Sequence, residues 1–183
     1  FFYHINIQFL GFRYSGWQKQ TNAKTVQEMV DRTFNFIFDH DGFKTLGAGR
    51  TDAKVSANQF SFQLFVTEQQ DTEDLLAKLN FNFPADIRAL DIREVDSNFN
   101  IMNDPKIKKY FYMFTCGEKM HPFCAPFMVS FEGALDIDLM KRGAKVFEGE
   151  HNFFNYCYRP SPDGQFVRTI DFCELVDNTD YTA

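Results

Sequence analysis

The chain has 183 residues, of which 44% are hydrophobic, and this is enough for one or two domains with a buried core. Its formal net charge of -6 argues against a nonspecific nucleic-acid binder, which typically carries a basic excess. No apolar run reaches the length of a membrane span, and the start lacks a signal-peptide pattern. Four cysteines without a Cys-x-x-Cys pair predict free thiols, so we expect a cytoplasmic protein with no membrane association.

The first half of the chain predicts the order strand, helix, strand, strand, helix, strand. Alternating apolar residues predict strands at 2–10, 43–48, 57–66 and 86–95. Apolar residues at helical spacing predict helices up to about residue 40, after a capping box at Thr25 and Glu28, and from about 72 to 80. This order is the split βαβ arrangement of ferredoxin-like domains, in which helices cover one face of an antiparallel sheet and leave the other face free.

The second half predicts only part of another split βαβ unit. Its elements are a strand at 109–116, a helix at about 138–147 and a strand at 166–176. We therefore predict an α+β protein with two ferredoxin-like subdomains, residues 1–98 and a C-terminal catalytic subdomain at 99–183 that is incomplete. Because the chain also lacks an initiator Met, we expect it to be part of a longer protein.

Small residues surround one arginine and one aspartate in the segment 46–58. Gly47 and Gly49 predict a loop that turns sharply and lets a ligand come close. Arg50 and Asp52 stand two apart, which in an extended segment puts both side chains on the same side, where they can pair. Two interpretations are open: a surface turn whose ion pair is worth about 0 to 1 kcal/mol, or a catalytic carboxylate that the guanidinium keeps ionised.

The segment Gly49-Arg50-Thr51-Asp52-Ala53 resembles the central motif of the TruA family of tRNA pseudouridine synthases. The family usually continues Gly-Val-His-Ala, where this chain has Lys54-Val55-Ser56-Ala57. Further segments are similar to the family in order and approximate spacing, namely 16–20 with 26–28, 79–80 with 83–87, 108–110 and 147–153. The family's later C-terminal segment is absent from this sequence.

The resemblance implies isomerisation of uridine to pseudouridine in the anticodon arm of tRNA, by a homodimer. The reaction is redox-neutral, so no cofactor and no metal are expected. By resemblance, Asp52 is the essential carboxylate at the sugar carbon and Arg50 holds it. Tyr110 would stack on the flipped uracil, although its position among aromatic residues favours the core on spacing alone.

The candidate RNA contacts lie beside the motifs that carry the resemblance, and they are Trp17, Gln18, Lys19, Lys54, Lys108 and Lys109. Trp17 is either an exposed stacking platform or an anchor for its own loop. Lys108 and Lys109 contact phosphate, or they are solvated charges on an edge strand. Two other functions stay open at this point: a non-catalytic RNA-binding protein that keeps the synthase fold, and a ferredoxin-like interaction or sensing domain.

Overall fold

The computed structural model describes residues 1–103, 107–158, 160–161 and 163–178. They form two compact units: Phe1–Tyr112 with His121–Met128, and Met113–Met120 with the described residues of Val129–Ala183. Both units combine helices with sheets, so the predicted α+β class is confirmed. Among the helices of the described residues, none has the length and apolar character needed to cross a membrane.

The first unit follows the predicted order of strands and helices. Its elements are β1 (Phe2–Phe9), α1 (Val26–Phe38), β2 (Phe43–Gly47), β3 (Ala57–Val66), α2 (Thr72–Asn82) and β4 (Ile87–Val95). The strands form one sheet in the order β2-β3-β1-β4, and all three pairings are antiparallel. Each predicted boundary of this unit lies within two residues of the observed one.

Side-chain caps fix where the two helices of the first unit begin. The Thr25 hydroxyl accepts a hydrogen bond from the N–H of Glu28 at 3.3 Å, which is the predicted half of a capping box. The return bond from the Glu28 side chain is not among the hydrogen bonds of the described residues. At α2, the Asp71 carboxylate accepts from the N–H groups of Glu73 and Asp74. These bonds satisfy amides that have no partner within the helix.

The core lies between the helices and one face of the sheet. Tyr3, Ile5 and Ile7 alternate along β1 and are fully buried, and they belong to one cluster with Val30 and Phe34 of α1. Alternation along a strand sends every second side chain to the same face, and this explains why the period-2 pattern in the sequence predicted a strand here.

The opposite face of the sheet is crossed by the chain that follows β4. Gln63 on β3 is 1% exposed; its amide donates to the Phe99 carbonyl at 3.2 Å and accepts from the Ile101 N–H at 3.3 Å. The His4 and Phe99 rings lie 5.4 Å apart. The prediction that this face is free is therefore wrong for the middle of the sheet. The side-chain amide of Gln63 holds the crossing segment there, because it has both a donor for the carbonyl and an acceptor for the N–H of that segment.

The second unit contains short elements, which are β5 (Met113–Gly117), β6 (Met128–Glu132), α3 (Ile137–Lys145), β7 (Gly149–Asn152) and β8 (Val167–Ile170). β5 pairs with β6, and β7 pairs antiparallel with β8. The predicted strand at 109–116 begins later than expected, because consecutive aromatic residues give no period-2 signal for its start. β6 and β7 were not predicted; β7 has the polar sequence Gly-Glu-His-Asn.

Substituting Gln63 by Leu tests how firmly the crossing segment is held. Gln63→Leu removes the acceptor for the Ile101 N–H and the donor to the Phe99 carbonyl, so we expect it to lower the free energy of unfolding by about 1 to 3 kcal/mol. Urea denaturation of the chain measures this. Gln59→Leu, on an exposed position of the same strand, should change it by less than about 0.5 kcal/mol. Equal effects of the two variants would contradict the anchoring role of Gln63.

Candidate active site

The motif that carries Arg50 and Asp52 lies in the connection between the neighbouring antiparallel strands β2 and β3. We call residues 48–56 the motif loop. Its first residue remains in the ladder, because the Ala48 N–H donates to the Ser61 carbonyl at 2.9 Å. The site is therefore built on a connection that two paired strands hold at both ends, as the sequence predicted.

A second loop, residues 10–17, packs against the motif loop, and we call it the support loop. Three hydrogen bonds join the two: Trp17 N–H to the Thr51 carbonyl (3.3 Å), Lys54 N–H to the Tyr14 carbonyl (3.0 Å) and Gly11 N–H to the Ser56 hydroxyl (2.9 Å). Together they hold the backbone on both sides of Asp52. Ser56 stands where the related family usually has His, and here its hydroxyl is one of the three acceptors.

Glycines let the two loops come into direct contact. A Cβ at Gly11 would overlap the Val55 carbonyl, and a Cβ at Gly47 would overlap the Trp17 indole. Neither Gly47 nor Gly49 has a positive φ. The predicted reason for these two glycines, an unusual backbone conformation, is therefore wrong, and at Gly47 the requirement is space.

Trp17 is 1% exposed, and its ring centroid lies 4.3 Å from that of Phe60. The interpretation of Trp17 as an exposed stacking platform is therefore wrong, and the alternative, that Trp17 anchors its own loop, is confirmed. The Gln18 side chain donates to the Gln27 side chain at 3.1 Å. The Lys19 Nζ lies 3.4 Å from an Asp31 carboxylate oxygen. Both predicted RNA contacts are exposed, but they also hold the chain against α1.

Arg50 and Asp52 are both exposed, and no ion pair or side-chain hydrogen bond among the described residues joins them. The predicted pairing within this loop is therefore wrong for the unbound chain. The Asp52 carbonyl accepts from the Val55 N–H at 3.3 Å, which closes a turn directly after the carboxylate. The arrangement leaves both charged groups available to a ligand.

The segment 107–112 contributes the other predicted site residues of the first unit. The Lys108 Nζ lies 3.0 Å from the position that a Cβ of Gly49 would take, so this cation lies against the motif loop. The Lys109 Nζ lies 4.9 Å from the centroid of the Phe111 ring, within the range of a cation–π contact. Tyr110 is 80% exposed, so the core interpretation is wrong. No hydrogen bond among the described residues joins Tyr110 to Asp52.

Lys54 adopts the left-handed backbone conformation, with a φ of 67°. This conformation costs a residue with a Cβ roughly 1 to 2 kcal/mol, and the related family usually has Gly at this position. The turn after Asp52 therefore keeps the shape that Gly favours although its residue is Lys. The Tyr14 carbonyl compensates in part by accepting the Lys54 N–H.

Replacing Lys54 by Gly should relieve this strain. We expect Lys54→Gly to raise the free energy of unfolding by about 1 kcal/mol, because Gly reaches positive φ without a steric cost. Thermal or urea unfolding measures the change. Lys44→Gly, in the extended strand β2, should instead lower it by roughly 0.5 to 1 kcal/mol. A loss of stability in both variants would contradict the strain at Lys54.

Asp86, just before β4, binds two side chains of the support loop. Arg13 Nε donates to one carboxylate oxygen at 2.7 Å, and the Tyr14 hydroxyl donates to the other at 2.8 Å. Burial opposes ionisation of Asp86, but these two hydrogen bonds lower the pKa of its carboxyl below the ordinary value. Burial of Tyr14, together with its bond to Asp86, raises the pKa of its hydroxyl from 10.0 to about 12.

The raised pKa of Tyr14 predicts a specific alkaline sensitivity. The neutral hydroxyl stabilises the folded chain fully below pH 10, the pKa of the unfolded state, and this contribution is lost as the pH rises through about 12. Between those values the parent should lose up to about 2 kcal/mol of unfolding free energy more than Tyr14→Phe does. Urea denaturation at several pH values measures the difference. Parallel pH profiles would contradict it.

Sequence patterns did not identify Tyr14 or Asp86 as residues that support the motif loop. Asp86 was predicted only as the first residue of a strand, in a segment that resembles the family, and Tyr14 lay between the first predicted strand and the first predicted helix. The available signal was Gly11, since a glycine near a polar loop indicates close backbone approach. Spacing alone does not show which second loop approaches it.

Comparison with known proteins finds relatives that are named tRNA pseudouridine synthase A. The chain is 31% identical to the tRNA pseudouridine synthase A of Clostridium kluyveri, over 90% of this chain and 67% of the relative. It is 31% identical to the enzyme of that name from Dictyoglomus thermophilum, over 91% and 69%, and 32% identical to that of Exiguobacterium sibiricum, over 96% and 69%. No family model matches the chain.

Proposed function

Because the chain belongs to the TruA family of tRNA pseudouridine synthases, we propose that it isomerises uridine to pseudouridine in tRNA with Asp52 as the catalytic carboxylate. The members of this family are isomerases. The observation that supports the proposal best is the placement of Asp52, exposed in a loop whose backbone is hydrogen-bonded on both sides of it. An exposed group on a rigidly held loop is suited to a macromolecular substrate.

The proposed reaction rearranges one nucleotide without any external group. The bond from the sugar carbon to N1 of uracil breaks, the base rotates, and a bond forms from the same carbon to C5. The proton that leaves C5 balances the proton that N1 gains, so the product has the composition of the substrate and no cofactor is required. Asp52 either attacks the sugar carbon, in which case its bond to that carbon breaks again as C5 bonds there, or stabilises the positive charge of that carbon while the base is detached.

Access to Asp52 requires that the target nucleotide leave its stack. In the proposal, Tyr110 stacks on the extruded uracil, which its high exposure permits. Arg50 and Asp52 are not paired in the free chain. In the proposal, Arg50 therefore pairs with the Asp52 carboxylate only when the nucleotide is bound. Lys54, Lys108 and Lys109 contact the phosphates around the target, and Gln18 and Lys19 extend this surface.

Finer features rest on the resemblance to the family. We propose that the target lies in the anticodon arm, that the enzyme is a cytoplasmic homodimer and that the subdomains 1–98 and 99–183 are ferredoxin-like. The element order and the antiparallel strand order β2-β3-β1-β4 support this architecture for the first subdomain.

Removing the charge of Asp52 tests the proposal. Asp52→Asn preserves the shape of the side chain, so tRNA binding should remain while pseudouridine formation falls by at least about 100-fold. The measurement is the number of pseudouridines formed per unmodified tRNA, together with the Kd for the same tRNA. Asp41→Asn, at an exposed position before β2, is the matched control and should keep parental activity.

Two outcomes would contradict this assignment. Parental activity in Asp52→Asn would show that another group acts at the sugar carbon. A parent protein that binds tRNA and forms no pseudouridine in it, or in other RNA, would favour the non-catalytic RNA-binding alternative.

The position of Lys108 beside Gly49 predicts a phosphate contact next to the target. Lys108→Gln should weaken tRNA binding. It should also reduce the magnitude of the slope of the logarithm of the binding constant against the logarithm of the salt concentration by about one, because one counterion fewer is released. Binding titrations between about 50 and 200 mM salt measure that slope. Lys78→Gln is the control, because Lys78 on α2 already pairs with Asp74 at 2.7 Å. An unchanged slope in Lys108→Gln would rule out this contact.

A further inference from the structure

We propose that Tyr14 and Asp86 are positioning residues for this reaction, acting through the backbone of Lys54 on the direction of Asp52. This inference rests on the proposed function, because it assigns a purpose to the support beneath the catalytic loop. It concerns two residues that have no part in the chemistry described above. Their action is mechanical: Asp86 fixes Tyr14, and Tyr14 fixes the turn that follows the carboxylate.

Asp86 holds the support loop at three points. Its carbonyl accepts from the Leu10 N–H at 2.9 Å, and its two carboxylate oxygens accept from Arg13 and Tyr14. The Asp86 side chain is 11% exposed, and hydrogen bonds to a charged, poorly solvated group are stronger than neutral ones. The support loop is therefore tied to the start of β4, an element of the central sheet.

Tyr14 transmits this hold to the motif loop. Its carbonyl accepts the Lys54 N–H at 3.0 Å, and Lys54 is the residue with a φ of 67°. A strained conformation persists only where its surroundings fix it. If Tyr14 shifts, Lys54 can relax to an ordinary conformation, and the chain two residues after Asp52 then changes direction.

Neither residue is placed to touch the substrate. Tyr14 is 2% exposed, and its hydroxyl is bonded to the carboxylate of Asp86, which is also largely buried. An effect of Tyr14→Phe on the reaction would therefore have to pass through the protein. Small displacements of a catalytic group have large effects on rate, since the reacting atoms must be aligned closely.

The test compares Tyr14→Phe with Tyr3→Phe. Tyr3 is fully buried, and its hydroxyl bonds to the backbone of Gln70, so Tyr3→Phe removes an equivalent group without a contact to either loop. We expect Tyr14→Phe to lower kcat for pseudouridine formation about tenfold with little change in the tRNA Kd. Tyr3→Phe should keep the parental kcat. Equal kcat values in the two variants would overturn the proposal.

Two further readouts separate positioning from general destabilisation. The exchange rate of the Lys54 amide hydrogen should rise about tenfold in Tyr14→Phe and not in Tyr3→Phe. In a Lys54→Gly background, Tyr14→Phe should lower kcat less than it does in the parent, because Gly adopts the left-handed conformation without a steric cost and depends less on the bond from Tyr14. Fully additive effects on kcat, or an unchanged exchange rate, would contradict the route through Lys54.

The outcomes distinguish this proposal from the proposed function. A parent protein that binds tRNA but forms no pseudouridine overturns both. An active parent that Asp52→Asn inactivates and Tyr14→Phe leaves unaffected overturns the positioning role alone.

Discussion

The hydrogen bonds between the support loop and the motif loop are the constraint on which the candidate site depends. Two strands hold the ends of the motif loop, but its middle contains small residues that bury little apolar surface. Backbone amides and carbonyls of residues 11–17 restrain the middle of the motif loop by hydrogen bonds. Gly11 and Gly16 make the close approach possible, because a Cβ at either position would overlap the motif loop. The charged side chains therefore stay exposed while the backbone that carries them is fixed.

The two departures from the usual family motif have different physical consequences. Lys54 retains the left-handed turn at a steric cost that Gly would avoid, and it adds a positively charged residue to the motif loop two positions after Asp52. Ser56 provides a hydroxyl that accepts from the Gly11 N–H. Both departures are thus compatible with the loop geometry, and Lys54 adds a reason for the loop to need the support of Tyr14.

Local patterns predicted most of the first unit, and contacts between distant segments account for what they missed. The alternation in 57–66 identified β3, and the apolar stripe at helical spacing identified α1. Both patterns arise because each element buries one face and exposes the other. The burial of Trp17 and the crossing of the sheet at Gln63 depend on contacts with other segments, for which a local pattern has no signal. The aromatic run at 110–112 misled for a related reason: its residues are large and apolar, yet they are exposed.

Release of tritium from tRNA labelled at C5 of uridine is the most direct measurement of the central claim, because the proposed reaction must break that C–H bond. With the protein in excess over tRNA that it binds, we predict that tritium enters the solvent in proportion to the uridines converted, and that Asp52→Asn releases none above background. Retention of all the label by the parent, on tRNA that is fully bound, would contradict the account.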